Sequence, residues 1–433
     1  MTNFLLYIDP GTGSMLFSLF IGLATTAVFG LRALIIKVKS IIGRGKQTEL
    51  DKSHLGIVIY SDSKRYWNVF SPIVHEFENR KIPLVYYTQS SDDPALSEKF
   101  QFVKTEFIGE GNRGLAKMNM LNADVCLATT PGLDVLQWKR SRQCKKYVHI
   151  FHAVDEALGY RMFGMDHFDS VLLTGEFQGE NIRKLEKLRN LPQKELKVTG
   201  STYLDAMKAR LEKEGSGEKS EKIVLLAPSW GESAILKRYG KKIISSLVET
   251  GYKIIIRPHP QSMVSEKEMM EKLMLAFPNS SRLEWNFDND NFDVLKKSDI
   301  LITDFSGIIF DYTLVFDRPL IYADTSFDDS PYDASWIEDE PLWRFEALKK
   351  LGVKLEEKDF PNIKQIIDST IESTEFSNGR KEISLQAWQN KGKCASSTVD
   401  YLLEVQKAVL ISLKYMILLL FFLLEVYNPL FVP

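Results

Sequence analysis

The chain has 433 residues, of which 44% are hydrophobic and 26% charged, and its formal net charge is −2. This length accommodates two or three domains, and the near-neutral charge excludes a bulk electrostatic attraction to nucleic acid. The three cysteines, Cys126, Cys144 and Cys394, show no CxxC spacing, so the sequence supports neither a zinc site nor a disulfide framework. Such sparse cysteine use favours a reducing, cytoplasmic setting.

The first strong feature along the chain is an uncharged apolar run, Ser14–Leu31, which nearly reaches membrane-spanning length. Basic residues follow this run and none precedes it, so the positive-inside rule puts the rest of the chain at the cytoplasmic face of the cell membrane. A cleaved signal peptide is the alternative, but its usual basic start is missing. We therefore predict a retained transmembrane helix within residues 1–50. The basic residues are Arg32, Lys37, Lys39, Arg44, Lys46 and Lys52.

A second apolar segment closes the chain over residues 406–433. Its uncharged core, Tyr415–Leu424, is short and is bracketed by Lys414 and Glu425. This length favours a hydrophobic helix that associates with the membrane as an interfacial, re-entrant or packed segment. A tilted second span remains the alternative.

Between these ends, short apolar runs alternate with amphipathic helical patterns, which predicts parallel sheets covered by helices. A polar run rich in glycine and serine, residues 213–222, interrupts the alternation and is typical of a linker. The pattern then restarts. We predict an α/β fold with two Rossmann-like domains, residues 51–212 and 223–405, that face each other across a cleft.

Polar residues follow five of the predicted strands. In open parallel sheets ligands bind at the carboxyl ends of the strands, so polar groups gathered there favour a site in the cleft. The predicted site residues at these strand ends are His152, Gly200, Ser201, Ser229, Arg257, His259, Thr303, Asp304, Ser306 and Gly307.

The segment RPHP follows the buried pattern of Lys253–Ile256. Its prolines end the strand and stiffen the chain, which would hold Arg257 and His259 in fixed directions. An ordinary exit from a strand is the alternative interpretation of this stretch alone.

The segment ITDFSGIIFDYT predicts a strand that leads into a helix starting near Gly307. Free backbone N–H groups at a helix start attract phosphate, and the Ser306 hydroxyl adds a donor. Asp311 lies about one and a half turns into this helix and could face the cleft. A simple N-cap by Asp304 or Ser306 is the alternative. No metal-ligand set is evident in the sequence, and we predict no cofactor.

Six segments, in this order, resemble the CDP-glycerol glycerophosphotransferases, the teichoic acid polymerases and primases of bacterial envelopes. They fall between Tyr147 and Leu403 and read IFHAVDEALG, VTGSTYLDAM, VLLAPSWG, IIIRPHP, SDILITDFSGIIFDYTLVFDRPLIYAD and NKGKCASSTVDYLL. The resemblance implies a GT-B fold, with the nucleotide held mainly by the second domain and the acceptor approaching from the first.

The resemblance also implies residue roles. His152 matches the histidine proposed as the catalytic base of the family, and His259 matches the second essential histidine near the donor pyrophosphate. Thr303, Ser306 and Asp311 match the donor-site segment. We thus predict His152, His259 and Asp311 as catalytic, and the other strand-end residues as binding donor and phosphate.

The chain departs from the family pattern at three places. Ala153 and Val154 follow His152 where the family usually has Gly-Thr, and Gly307 replaces a second serine. Ser397 and Thr398 stand where the closing motif tends to carry an arginine. These departures bear on acceptor and donor identity rather than on the fold.

The predicted function is a membrane-anchored transfer of glycerol phosphate, or a similar polyol phosphate, from a CDP-activated donor to a hydroxyl of an envelope acceptor, with release of CMP. Two alternatives remain open: a GT-B glycosyltransferase that uses a nucleotide sugar, and a non-catalytic nucleotide-binding protein of envelope assembly. The predicted partners are the CDP-polyol donor, a lipid-linked or envelope acceptor and the membrane, but not nucleic acid.

Overall fold

The computed structural model describes residues 54–215, 221–288, 290–323, 327–337 and 341–427 of the chain. The elements belong to one compact unit, Leu55–Pro433. The predicted N-terminal anchor, Ser14–Leu31, lies outside the described residues, as do residues 216–220 of the predicted linker and residues 428–433. Within the described ranges, no helix combines the length and the apolar character that crossing a membrane requires.

The first half of this unit is built on a parallel sheet of seven strands in the order β3-β2-β1-β4-β5-β6-β7. Every residue of β4 is buried, as expected for a parallel strand covered by helices on both faces. The strands are β1 (Leu55–Ser61), β2 (Leu84–Thr88), β3 (Val103–Phe107), β4 (Ala123–Ala128), β5 (Cys144–Ile150), β6 (Ser170–Leu173) and β7 (Glu195–Val198).

The second half is built on a parallel sheet of six strands in the order β10-β9-β8-β11-β12-β13. In both sheets the strand order reverses beside the first strand, which is the place where open α/β sheets bind ligands. The strands are β8 (Ile223–Leu226), β9 (Lys253–Ile256), β10 (Leu283–Trp285), β11 (Ile300–Thr303), β12 (Leu320–Ala323) and β13 (Gly352–Leu355). The predicted class, two α/β domains with parallel sheets, is confirmed.

Helices cover both faces of each sheet. Those of the first half are α1 (Trp67–Asn79), α2 (Asn112–Met118), α3 (Phe177–Leu188) and α4 (Thr202–Glu214). Those that follow are α5 (Ile235–Arg238), α6 (Gly240–Glu249), α7 (Ser262–Ser265), α8 (Lys267–Ala276), α9 (Phe292–Lys297), α10 (Ile308–Phe310), α11 (Trp343–Leu351), α12 (Ile363–Glu372), α13 (Ser377–Ala387) and α14 (Cys394–Tyr427). Helix α10 continues into a π-helical turn, Asp311–Val315, and 3₁₀ turns cover Lys64–Tyr66, Pro94–Leu96, Ala157–Gly159, Asp333–Trp336 and Glu357–Asn362.

Successive side chains of β1 pack on opposite faces of the first sheet. Ile57 and Ile59 pack in the same cluster as Phe70 of α1, whereas Val58 and Tyr60 pack on the opposite face with Met118 of α2. This period of two is the one that a strand covered on both sides requires. The sheet is therefore the middle layer of a three-layer sandwich.

Helix α14 returns from the second half of the chain to the first sheet. Val399, Leu402 and Val405 are buried in the cluster that contains Ile57, because a spacing of three puts them on one face of the helix. Gln406 Nε2 also donates a hydrogen bond of 3.0 Å to Asp124 of β4. The predicted boundaries assigned residues 223–405 to the second domain, and part of that range, Val399 to Val405, packs in the core of the first sheet.

Candidate active site

A cleft bordered by both domains lies at the carboxyl ends of β5, β8, β9 and β11. It consists of two adjoining cavities of ≈350 and ≈430 Å³. Both cavities are lined by His152 and Asp155 from the first domain and by His259, Ser306 and Gly307 from the second. The fold thus brings side chains that are far apart in sequence to one edge of the two sheets.

His152 reaches the cleft because it follows β5 by two residues. Its Nδ1 lies 3.2 Å from the Thr129 hydroxyl at the end of β4. Its ring lies 5.0 Å from that of Tyr66 and edge-on to that of Tyr160. Burial lowers the pKa of His152 to about 4, an effect that nearby Asp155 opposes. The imidazole is consequently neutral at pH 7, which is the form that accepts a proton.

The His259 side chain is held in place by the loop that follows it. Its Nδ1 accepts a hydrogen bond of 3.1 Å from the backbone N–H of Gln261. Because Nδ1 acts as an acceptor, the proton of the neutral ring lies on Nε2, which is then a donor. Burial lowers the pKa of His259 to about 4, with a further contribution from Arg65. At neutral pH this side chain is a hydrogen-bond donor without a full charge.

Arg65 is a cleft residue that the sequence did not reveal. It lies in the 3₁₀ turn after β1, is exposed, lines the cleft, and its charge lowers the pKa of both His152 and His259. Its Nε donates to the Ser63 hydroxyl at 3.1 Å. An exposed guanidinium beside two uncharged histidines can bind an anion there. The preceding polar stretch carried no motif, so only the fold identifies it.

Asp311 faces the cleft from the π-helical turn. Its Oδ2 accepts hydrogen bonds from Asn291 Nδ2 at 3.0 Å and from the Tyr203 hydroxyl at 3.4 Å. Burial raises the pKa of Asp311 to about 7, because these two neutral donors offset only part of the desolvation. A carboxyl group with this pKa exchanges a proton readily near neutrality.

Ser306 and Gly307 line both cavities at the start of α10, where the sequence predicted them. Gly307 approaches the first domain closely, since a Cβ built on it would lie 3.7 Å from Ala153 Cβ. The second hydroxyl that the family pattern has at this position would therefore still fit beside the small Ala153 side chain. The glycine leaves that space open.

Thr303 and Asp304 lie beneath the cleft and do not line it, which differs from the prediction. Thr303 Oγ1 donates to the Ala227 carbonyl at 2.8 Å and ties the end of β11 to that of β8. The fully buried Asp304 accepts from the backbone N–H groups of Ser229 at 2.8 Å and Ile235 at 3.0 Å. Both side chains therefore shape the loop that follows β8.

Ser229 is the residue of that loop that borders the cleft. Its buried hydroxyl makes no hydrogen bond of normal geometry among the described residues, although it helps to stabilise the Asp304 carboxylate. Trp230 lines the same cavity, and its ring lies 6.3 Å from that of His259 at an angle of 31°. The loop thus presents a hydroxyl near Asp304 and one aromatic face to the cleft.

Arg257 lines the cleft, but its guanidinium is already engaged. One terminal nitrogen donates to Asn286 Oδ1 and the other donates to the Asp288 carbonyl at 2.8 Å. The prediction gave Arg257 a direct contact with phosphate. In the structure it also organises the loop after β10, which leads to Asn291 and so to Asp311.

Gly200 and Ser201 do not line the cleft, which is a second difference from the prediction. Gly200 has φ = +84°, and a Cβ there would lie 2.1 Å from the Gln389 carbonyl oxygen. Ser201 is the N-cap of α4 and accepts a 3.3 Å hydrogen bond from the backbone N–H of Leu204. The next turn of α4 carries Tyr203 to the cleft, so these two residues position the helix that contributes it.

A buried group of charges joins the two domains at the base of the cleft. Arg344 of α11 pairs with Asp155 and, at 3.4 Å, with Glu156, and it donates to the Phe305 carbonyl at 3.0 Å. Burial raises the pKa of Glu156 to about 7, although Arg344 opposes the rise. Asp155, Glu156 and Phe305 lie in the family segments quoted above, but nothing in those motifs indicated Arg344. No cluster of potential metal ligands occurs among the described residues.

With this geometry in place, the chain can be compared with known proteins. No curated protein sequence matches it. A family model described as CDP-Glycerol:Poly(glycerophosphate) glycerophosphotransferase matches residues 190–335. The resemblance predicted from the sequence is confirmed. So is the prediction of an enzyme of the CDP-glycerol glycerophosphotransferase type.

Several solved structures share the fold. The wall teichoic acid polymerase TagF, as a variant soaked with CDPG, gives a TM-score of 0.53 at 14% identity, covering 88% of this chain and 99% of that chain. The Neisseria meningitidis UDP-GlcNAc 2-epimerase bound to UDP-GlcNAc gives a TM-score of 0.54 at 14% identity. The match covers 81% of this chain and 100% of the epimerase chain. The Methanocaldococcus jannaschii UDP-GlcNAc 2-epimerase, in complex with UDP-GlcNAc and UDP, gives a TM-score of 0.51 at 13% identity. The match covers 76% of this chain and 99% of the epimerase chain. What these structures share with the chain is the two-domain, GT-B-type fold.

Proposed function

We propose that this chain transfers glycerol phosphate, or a similar polyol phosphate, from a CDP-activated donor to a hydroxyl of a cell-envelope acceptor, with release of CMP. The observation that carries the proposal is a pair of partly buried, neutral histidines, His152 from the first domain and His259 from the second, that line one cleft. The glycerophosphotransferase model, which covers His259 and Asp311, supports the choice of donor.

His152 is the general base of the proposed reaction. The acceptor hydroxyl oxygen attacks the β-phosphorus of the donor, and its proton passes to the free lone pair of the His152 ring. The new bond joins the acceptor oxygen to phosphorus. The bond from phosphorus to the bridging oxygen breaks, and CMP leaves with that electron pair.

The donor pyrophosphate would be held by the second domain. His259 Nε2–H, the Ser306 hydroxyl and the backbone at Gly307 are donors at the edge of β9 and β11. Arg65 approaches from the first domain and adds a positive charge where the leaving phosphate develops negative charge. Protonated Asp311, whose pKa is about 7, can supply a proton to that leaving group.

The test is an assay of CMP release from labelled CDP-glycerol by membranes that contain the full chain, with UDP-sugars as parallel donors. We expect CMP to appear with an added envelope acceptor, and to be lost in His152→Ala and His259→Ala. The control is His75→Ala, an exposed histidine on α1. The proposal fails if none of several CDP-polyols yields CMP, or if a UDP-sugar is consumed instead.

We also propose that the chain is anchored in the cell membrane, with the catalytic cleft at the cytoplasmic face. The apolar run Ser14–Leu31 and the basic residues after it support this location. Anchoring would raise the local concentration of a lipid-linked acceptor. Fractionation of cells should leave the full chain in membranes after alkaline carbonate washing. A chain that washes off, or one whose cleft domain is cut by protease added outside intact cells, would contradict the proposal.

A further inference from the structure

A second cavity opens beside the cleft, wholly within the first domain. This side pocket has a volume of ≈650 Å³ and is lined by Tyr60, Asp62, Gln89, Thr130, Leu136 and Trp138, among others. It lies at the carboxyl ends of β1, β2 and β4. Pro131 and Arg161 line both the side pocket and the cleft, so the two cavities adjoin.

The side pocket is also linked to the proposed base. Thr129, whose hydroxyl lies 3.2 Å from His152 Nδ1, directly precedes Thr130 of the pocket lining. A ligand that contacts Thr130 therefore lies one residue away from the group that touches the base. This is the position that the acceptor side of a transfer reaction requires.

Three lining residues carry buried polar atoms whose hydrogen bonding the fold leaves incomplete. Among the described residues, Trp138 Nε1 has no hydrogen-bond partner, and Asp62 Oδ1 and Thr130 Oγ1 make no hydrogen bond of normal geometry, although the Thr130 hydroxyl stabilises the Asp62 carboxylate. Trp138 is only 5% exposed. An unpaired buried polar atom is costly, and such atoms are usually paired in folded proteins. Their concentration around one cavity indicates that a bound molecule supplies the missing partners.

The chemistry of these atoms selects the ligand. Trp138 Nε1–H can only donate, Asp62 as a carboxylate can only accept, and the Thr130 hydroxyl does both. The hydroxyls of a sugar or polyol are donors and acceptors at once and can serve all three. The apolar side chains of Val135 and Met162 complete the lining and suit the carbon face of such a molecule.

The charge of Asp62 argues against an anionic ligand in the part of the pocket around it, whereas the cationic Arg161 lines the pocket where it adjoins the cleft. Burial raises the pKa of Asp62, which shows that its negative charge is already poorly solvated. The neighbouring Thr130 hydroxyl and the more distant Arg65 only partly offset this desolvation. A phosphate placed beside Asp62 would add repulsion between like charges, whereas a hydroxyl would donate to the carboxylate.

We infer that the side pocket is the acceptor subsite, and that it holds an uncharged polyhydroxylated group whose free hydroxyl extends past Pro131 to His152. The inference rests on the proposed function and names its acceptor class. A polymer end that carries phosphate is the acceptor class that this lining disfavours.

The test uses the full chain with CDP-glycerol and two synthetic acceptors of equal alkyl length, an alkyl glucoside and an alkyl glycerol phosphate. The wild-type protein should show a KM for the glucoside at least tenfold below that for the glycerol phosphate. Asp62→Asn and Trp138→Phe should each raise the glucoside KM about tenfold, since each removes one hydrogen bond. Their affinity for CDP-glycerol should remain that of the wild type.

The matched control is Glu110→Gln, an exposed carboxylate of the same domain, which should change neither KM. Donor affinity in each variant also reports whether it is folded. The inference is overturned if the wild-type protein uses both acceptors equally, prefers the anionic one, or uses neither while native membranes still support CMP release. It is also overturned if the glucoside KM is unchanged in both variants. Each of these results leaves the proposed function standing. Absence of CMP with native membranes would overturn the proposed function and the inference together.

Discussion

Burial keeps both cleft histidines neutral at pH 7, and their hydrogen bonds give them different uses. His259 receives a backbone N–H at Nδ1, so its remaining nitrogen is fixed as a donor. His152 lies beside a threonine hydroxyl, which can either give or take a proton. One ring is therefore set to stabilise charge, and the other is free to accept a proton.

Removal of the proposed base should affect the rate much more than donor binding. We expect His152→Ala to lower the rate of CMP release about 10²- to 10⁴-fold, because proton transfer to a positioned base contributes that much. The affinity for CDP-glycerol, measured by calorimetry, should change little. His75→Ala serves as the control for loss of an exposed imidazole, and a His152→Ala protein of normal rate would exclude the assigned role.

The pH dependence of kcat/KM should reflect the lowered pKa of His152, which is about 4 in the free protein. The base is active when neutral, so the rate should stay nearly constant from pH 7 down to about pH 5.5. A solvent-exposed histidine with a pKa of about 6.5 would already have lost about tenfold. Asp311 and Glu156 both have a pKa of about 7, so a limb near pH 7 that disappears in Asp311→Asn belongs to Asp311, and one that persists does not.

Asp311 should also make stability depend on pH. Its folded-state pKa, about 7, lies above the unfolded value, so folding takes up a proton between about pH 4 and 7. The stability contribution of this group is present at low pH and is lost as the pH rises through 7. We expect Asp311→Asn to raise the free energy of unfolding by roughly 1–2 kcal/mol more at pH 8 than at pH 5.

Urea titrations at the two pH values measure this difference. Asn retains an oxygen that can accept from Asn291 and Tyr203, so those contacts persist in the variant. The exposed Asp329→Asn is the matched control and should show no difference between the two pH values. An equal effect of Asp311→Asn at both values would show that the carboxyl group is not buried as described.

At the scale of elements, the sequence predicted the central strands and missed three edge strands. Residues 254–256 of β9 are buried and entirely apolar, so the run is visible in the sequence. The missed strands, β3, β10 and β13, each lie at the edge of a sheet. There, residues such as Lys104 and Lys354 can face solvent, and the apolar signal is broken.

The same limit applies to the candidate site. His152, His259 and Ser306 were predicted because each follows a buried strand within a recognisable motif. Arg65 comes from a turn whose sequence carries no such signal. Tyr203 lies in the segment VTGSTYLDAM, but on the helix rather than at the strand end, and only the fold brings both residues to the cleft. Proximity to a strand end also selected Gly200, which is not among the cleft-lining residues because Gln389, between α13 and α14, and Cys394 of α14 pack against it.

The close contact at Gly200 leads to a prediction for the junction of α4, α13 and α14. Gly200→Ala should lower the free energy of unfolding by at least about 2 kcal/mol, because a Cβ there meets the Gln389 carbonyl oxygen at 2.1 Å in addition to the cost of positive φ. Gly215→Ala has a similar φ of +69° and open space around it, so it measures the backbone cost alone. Equal losses in the two variants, by denaturant titration, would contradict the close packing.

At the scale of the whole molecule, two buried arginines tie the halves of the chain together. Arg344 of the second half pairs with Asp155 and Glu156 of the first. On the other side, Arg189 of the first half pairs with Asp333 of the second at 2.5 Å. Buried pairs of this kind contribute little net stability but are costly to break, so they fix the relation of the two sheets that the cleft requires.

Replacement of Arg344 should therefore loosen the link between the domains. We expect Arg344→Met to cost about 3–5 kcal/mol, because it removes the cation that pairs with the fully buried Glu156 and the partly buried Asp155. Denaturant unfolding should change from one transition to two as the halves become independent. Lys349→Met, an exposed position on the same helix that pairs with Glu346, should cost less than about 1 kcal/mol. A single unchanged transition in Arg344→Met would argue against this coupling.

The return of α14 to the first sheet has a consequence for the newly made chain. The ribosome releases β1 before the second sheet, but the cluster around Ile57 lacks Val399, Leu402 and Val405 until after the second sheet has been synthesised. The second sheet, by contrast, is made from one continuous stretch, Ile223–Leu355. The core of the first domain, although its first strand is made earlier, is therefore completed later than the sheet of the second domain.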